Sequence, residues 1–357
     1  MINIESVKAR ALRVPMAHPH RTASGTVAES PLVLIDAVTS AGVSGHGIVF
    51  TYTVAALRPV ADLINHFAEL VKGDDLAPTV VEEKLSRKFR LLGTQGLVGM
   101  AIAGIDMALW DAQARTRNLS LARLLGAAPR PIPAYGAIGY DGVSAAAQVA
   151  GDWAKRGFKG VKAKIGYPTI KEDLETIRAI RSTVGPEVAI MVDYNQSLTP
   201  AEAIARLRHL DDEGLTWIEE PALAHDFTGH AHIAREIRTP IQAGENWWGI
   251  LDMRHAIDAH ATDYMMPDVM KIGGVTGWMR AAALAEAHGI KLSNHLWPEI
   301  SAQLMCATPT AHWLEYADWW NPVLKNPLRI ENGMALIDDS PGNGIEWNEA
   351  AVARMIV

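Results

Sequence analysis

The hydrophobic rhythm of the chain changes once, near residue 130. Before that point, residues 2 to 14 alternate, with Ile2, Ile4, Val7, Ala9, Ala11 and Leu12 among the apolar positions, which predicts a long strand. His18 to Glu29 is polar and contains glycine, and reads as a loop able to cover a site. Pro31 to Thr39 and Val43 to Phe50 predict two further strands joined by a tight Ser40-Ala41-Gly42 turn. Helical periodicity follows over residues 54–71, 80–92 and 97–117. Three strands followed by helices make an α+β unit.

From Pro131 onward, short apolar runs alternate with helical stretches. The runs fall at 132–138, 159–165, 188–193, 215–219, 240–243, 263–266, 290–293 and 312–315. Helices are expected between them, among others at Ser144–Arg156, Lys171–Val184 and Pro200–Glu213. Repeated β/α alternation argues for a closed parallel barrel. An open doubly wound sheet would announce itself with a Gly-rich phosphate loop after its first strand, and Gly136-Ala-Ile-Gly139 is a weak echo only. The tail from Leu328 returns to short strands and Gly/Pro turns, and is expected to pack back on the first domain.

Several of the apolar runs end in charge. Val188 to Val192 ends in Asp193, Leu215 to Ile218 in Glu219, and Pro240 to Ala243 leads through Gly244 to Glu245. These acids are equally spaced, 26 residues apart, about one strand–helix–strand unit each. Any one of them alone reads as a helix cap or an ion-pair partner. Three at matched strand ends, which converge on one face of a barrel, form an oxygen-lined site for a hard cation. Mg²⁺ fits such a set, and zinc does not, because no His or Cys joins the acids at matching positions. Glu220 and Glu213 read as surface charges or as groups behind the ligands.

Lys162 and Lys164 end the strand before Asp193, and residues two apart in a strand point to the same side. Paired ammonium groups disfavour protonation of one, so Lys164 is expected to have a depressed pKa suited to a base. His295 lies at the end of the seventh strand and Asp268 at the end of the sixth, and a carboxylate beside an imidazole orients the ring and raises its basicity. Lys271 reads as a further site charge or as an ion-pair partner. Glu315, on the eighth strand, completes a ring of ionisable groups. The set suits removal of a proton next to a carboxylate, and bases on both faces would allow inversion.

Composition narrows the partners. A net charge of −7 with no Lys/Arg block argues against nucleic acid. No apolar run is long enough for a bilayer and no signal peptide is evident, so a cytoplasmic protein is expected. The single cysteine, Cys306, sits in an apolar stretch and reads as a small buried hydrophobe.

These residues resemble the enolase superfamily and, within it, the mandelate racemase subgroup. The resemblance runs through Pro31-Leu-Val-Leu-Ile-Asp36, Gly104-Ile-Asp-Met107, Val161-Lys-Ala-Lys-Ile-Gly-Tyr167 and Ile190-Met-Val-Asp-Tyr-Asn-Gln-Ser197. It continues in Trp217-Ile-Glu-Glu-Pro221, Gly244-Glu-Asn-Trp247, Met266-Pro-Asp268, Lys271-Ile-Gly-Gly-Val-Thr-Gly-Trp278 and Ala307-Thr-Pro-Thr-Ala-His-Trp-Leu-Glu315. The fold it implies is an α/β modified TIM barrel, (β/α)7β, with an α+β capping domain built from both termini. The expected division is a capping domain over residues 1–128, a barrel over 129–320 and a tail over 321–357.

By the same resemblance, Asp193, Glu219 and Glu245 would bind Mg²⁺, with Mn²⁺ as an alternative occupant. Lys164 would be the base on one face, and His295, paired with Asp268, the base on the other. Lys162 would neutralise the substrate carboxylate, Glu315 would hydrogen-bond to the enolic oxygen and Asn195 would contact the hydroxyl side. Tyr52 would lie in the capping-loop region. The specificity positions depart from the racemase pattern. His20 and Ser24 stand where the racemase loop has valines, Val27 remains, and Ala137 lacks the serine hydroxyl found there. Trp297, Trp319 and Trp320 would add aromatic bulk around the mouth or belong to the core or an interface.

The first expectation is therefore a Mg²⁺-dependent racemase or epimerase of a 2-hydroxy carboxylic acid, working through a metal-stabilised enolate. The alternative is an acid-sugar dehydratase with the same residues, toward which the polar His20, Arg21 and Ser24 lean. A binding protein on an inactivated scaffold would have lost a ligand or a base, and none is lost. A small-molecule carboxylate partner and a homo-oligomer are what the resemblance implies.

Overall fold

The structure, a computed structural model, describes residues 1–22 and 25–357, with the side chains of 17, 18 and 22 left aside. The first unit is an antiparallel sheet of β1 (Ile4–Thr22), β2 (Gly25–Thr39) and β3 (Ser44–Phe50), in that order. Helices α1 (Val54–Val71), α2 (Pro78–Lys88), α3 (Gly96–Thr116) and the short α4 (Leu121–Leu124) follow. Helix α3 lies directly on the sheet because β3 offers glycines there. A Cβ at Gly45 would stand 2.2 Å from the Ala108 carbonyl, and one at Gly47 2.5 Å from that of Gly104.

Where a loop over 18–29 is expected, the described residues on either side of 23 and 24 are paired strands. β1 runs on to Thr22 and pairs with β2 in the register His20↔Val27 and Arg21↔Thr26, after an irregularity between Pro15 and His20. Polar side chains do not exclude a strand when the backbone bonds are made to a neighbouring strand and only one face meets the protein.

The barrel consists of β4 (Ile132–Ile138), β5 (Gly160–Lys164), β6 (Ala189–Asp193), β7 (Ile218–Glu219), β8 (Ile241–Ala243), β9 (Tyr264–Met265), β10 (Lys291–Leu292) and β11 (Leu314–Tyr316). Parallel pairing runs from β4 to β10 in chain order, and β11 pairs with β4. A parallel bridge between Leu292 and Ala311 closes the ring. Seven helices connect these strands: α5 (Val143–Lys155), α6 (Ile170–Val184), α7 (Pro200–Leu207), α8 (Phe227–Glu236), α9 (Gly249–Asp258), α10 (Gly274–Ala287) and α11 (Pro298–Cys306). This is the (β/α)7β arrangement. Helix α7 ends earlier than its periodicity predicts, because Asp211 turns away to accept hydrogen bonds from the Arg238 and Thr239 backbone N–H groups, at 3.0 and 2.9 Å.

The tail divides. β12 (Arg329–Glu331) and β13 (Met334–Leu336) form a hairpin whose second strand pairs antiparallel with β4 of the barrel. From Asp339 onward it returns to the first domain: Asp339 accepts from Ser120 Oγ at 2.8 Å, Asn343 N–H donates to Asp111 Oδ1 at 2.6 Å and Trp347 Nε1 to Asp36 Oδ1 at 2.8 Å, and α12 (Glu349–Met355) leads to a bridge between Ile356 and Leu12. Among the described residues no helix is long and apolar enough to cross a membrane.

Candidate active site

Parallel register delivers the charged residues to one end of the barrel. Lys164 is the last residue of β5, Asp193 of β6 and Glu219 of β7, and the pairing Lys164↔Asp193↔Glu219 sets them in one row across three strands. Glu245 follows two residues after β8, and one oxygen from each of Asp193, Glu219 and Glu245 lies within 4.8 Å of the others. All three are buried. Non-glycine residues with positive φ gather in the loops just beyond these strands, at Asn195, Gln196, Glu220, Leu296 and Trp297. Strained backbone is held in place where a packed scaffold over-determines it, and functional sites are where it collects.

Lys162 is buried between two acids, donating to Glu219 Oε1 at 2.5 Å and to Glu315 Oε1 at 2.8 Å. Lys164 donates to Asp193 Oδ2 at 2.8 Å and to Asn195 Oδ1 at 2.6 Å. Asn195 in turn donates from its backbone and side-chain nitrogens to Asp193. Its amide is therefore engaged in fixing Lys164 and Asp193, a task the sequence reading had not given it. From the other side, His295 Nδ1 donates to Asp268 Oδ2 at 2.8 Å, which leaves Nε2 facing Glu245 Oε2 at 3.3 Å. Asp268 is immobilised in its turn, since its Oδ1 accepts from the Met270 and Lys271 backbone N–H groups. Glu315 Oε2 accepts from Leu296 N at 2.8 Å.

The electrostatics follow from crowding acids in a buried space. Burial pushes Glu219 up to about 8; Lys162 opposes this, while Asp193, Glu245 and Glu315 add to it. Glu245 moves the other way, because His295, Lys164 and Lys162 together outweigh its burial. The expected depression of Lys164 is not found. Burial lowers it, but Asp193 and Glu245 hold it above the usual lysine range, and Glu219 and Glu315 do the same for Lys162. The neighbouring ammonium is outweighed because each lysine touches a carboxylate, while the two lysines only share the space. His295 is raised as well, its burial overcome by Glu245 and the Asp268 hydrogen bond.

A hard divalent cation fits these residues. Three carboxylate oxygens converge without a nitrogen or sulfur ligand, and their mutual repulsion is what a cation relieves. Glu220 sharpens the point and takes the second of the two places expected for it, behind the ligands. It is fully buried, its Oε2 accepts from Asn246 Nδ2 at 2.7 Å, and its Oε1 has no hydrogen-bond partner among the described residues. Glu213 does lie at the surface, paired with Arg178 at 2.7 Å.

The capping strands β1 and β2 close over this end of the barrel. His20 is buried, with its ring 4.7 Å from that of Trp319, and burial together with the Lys164 and Lys162 charges takes its pKa down to about 3, so the imidazole is neutral. Val27 is half-buried opposite it. Ser24 lies outside the described residues. Ala137 pairs in register with Lys162 on the neighbouring strand. Tyr52, with φ 58°, sends its hydroxyl to within 3.5 Å of Asp268 Oδ2. Lys271 is a site charge: its ammonium lies 4.6 Å from the Tyr52 ring centroid and donates to Asn246 Oδ1 at 2.7 Å. Of the places left open for it, Trp297 takes the core. It is 1% exposed and stacks on Trp320 at 5.1 Å, inside the core.

Two groups behind the acids were not legible in the sequence. Trp217 Nε1 and Gln242 Nε2 donate to Glu219 Oε2, at 3.1 and 3.3 Å. Both point into the barrel by strand alternation, but an isolated Trp or Gln in an apolar run carries no chemical signal.

The comparisons with known proteins agree with this geometry. The enolase C-terminal domain-like family matches residues 144–351, and the mandelate racemase / muconate lactonizing enzyme N-terminal domain family matches residues 4–126. The chain is 35% identical to the L-talarate/galactarate dehydratase of Salmonella typhimurium over 73% of its own length and 66% of the dehydratase. It is 31% identical to the D-galactarolactone cycloisomerase of Agrobacterium fabrum over 99% of this chain and 98% of that one. Among solved structures, an enolase from Bradyrhizobium complexed with magnesium and mandelic acid is 43% identical and superposes with a TM-score of 0.96, covering 100% of this chain and 99% of that one. With both of its domains matched and its barrel closed in the (β/α)7β order, the chain belongs to the enolase superfamily, in the mandelate racemase and muconate lactonizing enzyme branch.

Proposed function

We propose that this protein is a Mg²⁺-dependent racemase or epimerase of a 2-hydroxy carboxylic acid, with Lys164 and His295 as opposed bases. The observation that carries the reading is that two basic groups flank one carboxylate cluster from different sides, Lys164 against Asp193 and His295 against Glu245. β5 and β10 lie on either side of the β11–β4 seam, so the two groups approach the barrel mouth from separate directions. The mandelic acid bound by the 43% identical Bradyrhizobium enolase supports a 2-hydroxy acid.

Mg²⁺ held by Asp193, Glu219 and Glu245 supplies Lewis-acid polarisation of the substrate carboxylate, which acidifies the neighbouring C–H. The chain's own residues do the rest. With Asp193 and Glu245 engaged by the cation, burial and the Lys162 charge are left to act on Lys164, and both lower its pKa. Asn195 holds the Lys164 amine in place while it takes the proton on its face. His295 presents Nε2 on the other face, its tautomer fixed by Asp268. Lys162 offers an ammonium to the substrate's carboxylate end, and Glu315, ion-paired with it at 2.8 Å, holds that ammonium in place. The His20–Trp319 and Tyr52–Asp268 contacts bring the cap to the barrel mouth.

The second reading is an acid-sugar dehydratase, in which His295 returns its proton to a departing hydroxyl. The 35% identity to the talarate/galactarate dehydratase and the neutral imidazole of His20, a polar group where a hydroxylated chain needs partners, favour it. A Mg²⁺-dependent screen in D₂O separates the two. Exchange with inversion of mandelate or another monohydroxy acid, without a keto product, is the expected result. Water loss from an aldonate or aldarate to give a 2-keto-3-deoxy acid would replace the first reading with the second.

A further inference from the structure

Two stretches singled out in the sequence, Gly104 to Met107 and Gly273 to Trp278, take no direct part in the site, and the fold brings them together. Helix α10 begins at Gly274 behind Gly273, and it has no side-chain cap from its own N-cap residue. A carboxylate from the other domain stands there instead. Asp106 on α3 accepts from Thr276 N at 3.0 Å through Oδ2 and from Thr276 Oγ1 at 2.5 Å through Oδ1. Trp110, one turn further along α3, donates from Nε1 to the same Thr276 hydroxyl at 2.9 Å. The fit leaves no room for a side chain: a Cβ at Gly274 would stand 2.3 Å from Asp106 Oδ2. An acceptor at a helix N-terminus satisfies free N–H groups and complements the helix dipole.

We propose that Asp106 is a positioning residue for the Asp268–His295 pair, acting from the capping domain through the start of α10. The segment between the capped helix and the site is short and bonded throughout. Gly274 N donates to Val269 O at 2.7 Å and Ile272 N to Asp268 O at 2.8 Å, while Asp268 Oδ1 holds the backbone of residues 270 and 271. A shift of the helix start therefore moves Asp268, whose Oδ2 sets the His295 ring. The cap grips the same segment a second time, since Tyr52 reaches Asp268 and faces Lys271. Asp106 and Tyr52 so clasp residues 268–276 from two points on one domain, and the seating of the cap is tied to the orientation of the imidazole. The inference rests on reading His295 as a base.

The test is the low-field Nδ1 proton of His295 in ¹⁵N-histidine-labelled, Mg²⁺-loaded protein, assigned by its loss in His295→Asn. Asp106→Ala is expected to shift this resonance upfield or abolish it, and Asp106→Asn, whose side-chain oxygen still accepts from Thr276 N, to restore it. Arg280→Ala is the control. It breaks another contact between the cap and the same helix, to Glu82 at 3.1 Å, without touching the helix start. Thr276→Val, which keeps the backbone donor, is expected to give a smaller shift in the same direction, and serves should Asp106→Ala not fold. An unmoved resonance in Asp106→Ala and Thr276→Val, or an equal shift in Arg280→Ala, would overturn the proposal. The readout needs no substrate, so its outcome is separate from that of the activity screen.

Discussion

Replacing Asp268 by asparagine tests the two-base reading most directly. The substitution keeps the shape of the side chain, and its Oδ1 can still accept from Met270 N and Lys271 N, at 2.7 and 3.1 Å. At the other position an N–H₂ replaces the oxygen that accepts from His295 Nδ1 at 2.8 Å. Two donors then face each other unless the imidazole gives up its Nδ1 hydrogen and carries it on Nε2. In that tautomer Nε2, which points past Glu245 into the site, has no lone pair with which to take a proton. Loss of a hydrogen bond to a charged group is worth about 1.5–3 kcal/mol, or roughly one to two units of imidazolium pKa. The wrong tautomer costs more, about 10⁴-fold for the corresponding change in a serine-protease triad. Exchange at the His295 face is thus expected to fall about 10- to 10⁴-fold, while exchange at the Lys164 face persists. The assay is deuterium incorporation from D₂O into each enantiomer of an active substrate, followed by NMR. Equal loss on both faces, or no loss on either, would refute the assignment of His295.

Glu219→Gln removes a cation ligand and one of the two acids that hold Lys162. Changing a group behind a ligand costs about 10- to 100-fold in metal affinity, so loss of the ligand itself is expected to weaken Mg²⁺ binding by at least that much in titration calorimetry. An unchanged affinity would place the cation elsewhere. Asp106 makes stability depend on pH. Burial raises its carboxyl to about 7 from a model-compound value of 3.8, although its Thr276 hydrogen bonds pull the other way. Between those values the folded state holds a proton that the unfolded chain has released, so this contribution is lost as pH rises from about 4 to 7, by on the order of 4 kcal/mol. Asp106→Asn removes that slope, and denaturant unfolding of both proteins across the range measures the difference. Parallel pH profiles would mean that Asp106 titrates normally in the folded state.

The barrel and its chemistry were legible in the sequence for a specific reason. An acid or a lysine closing an apolar run has no packing purpose, and strand ends converge in a parallel barrel, so Lys164, Asp193 and Glu219 could be placed before any coordinates. His295 with Asp268 was legible by the same logic. The readings that failed or stayed open concern residues whose surroundings come from distant parts of the chain. The 18–29 stretch is polar, yet its described residues on either side of 23 and 24 are paired strands, because each satisfies the backbone of the other. For Trp297 the sequence left open the mouth, the core and an interface, and it is Trp320, from beyond the last barrel strand, that stacks on it in the core. For Glu220 the sequence left open the surface and a place behind the ligands, because one carboxylate more beside Glu219 carries no sign of its burial.

The sequence by itself determined the order of elements, the carboxylate set suited to a cation and the strand ends that carry Lys164 and His295, since these depend on period, spacing and residue type within single strands. The tertiary structure alone decided the protonation balance and the coupling between domains. Lys164 is raised rather than depressed because Asp193 and Glu245 outweigh its burial, and the start of α10 is capped by Asp106 from a helix about 170 residues away. Electrostatic interactions fall off with distance and depend on burial, and neither quantity is written along the chain.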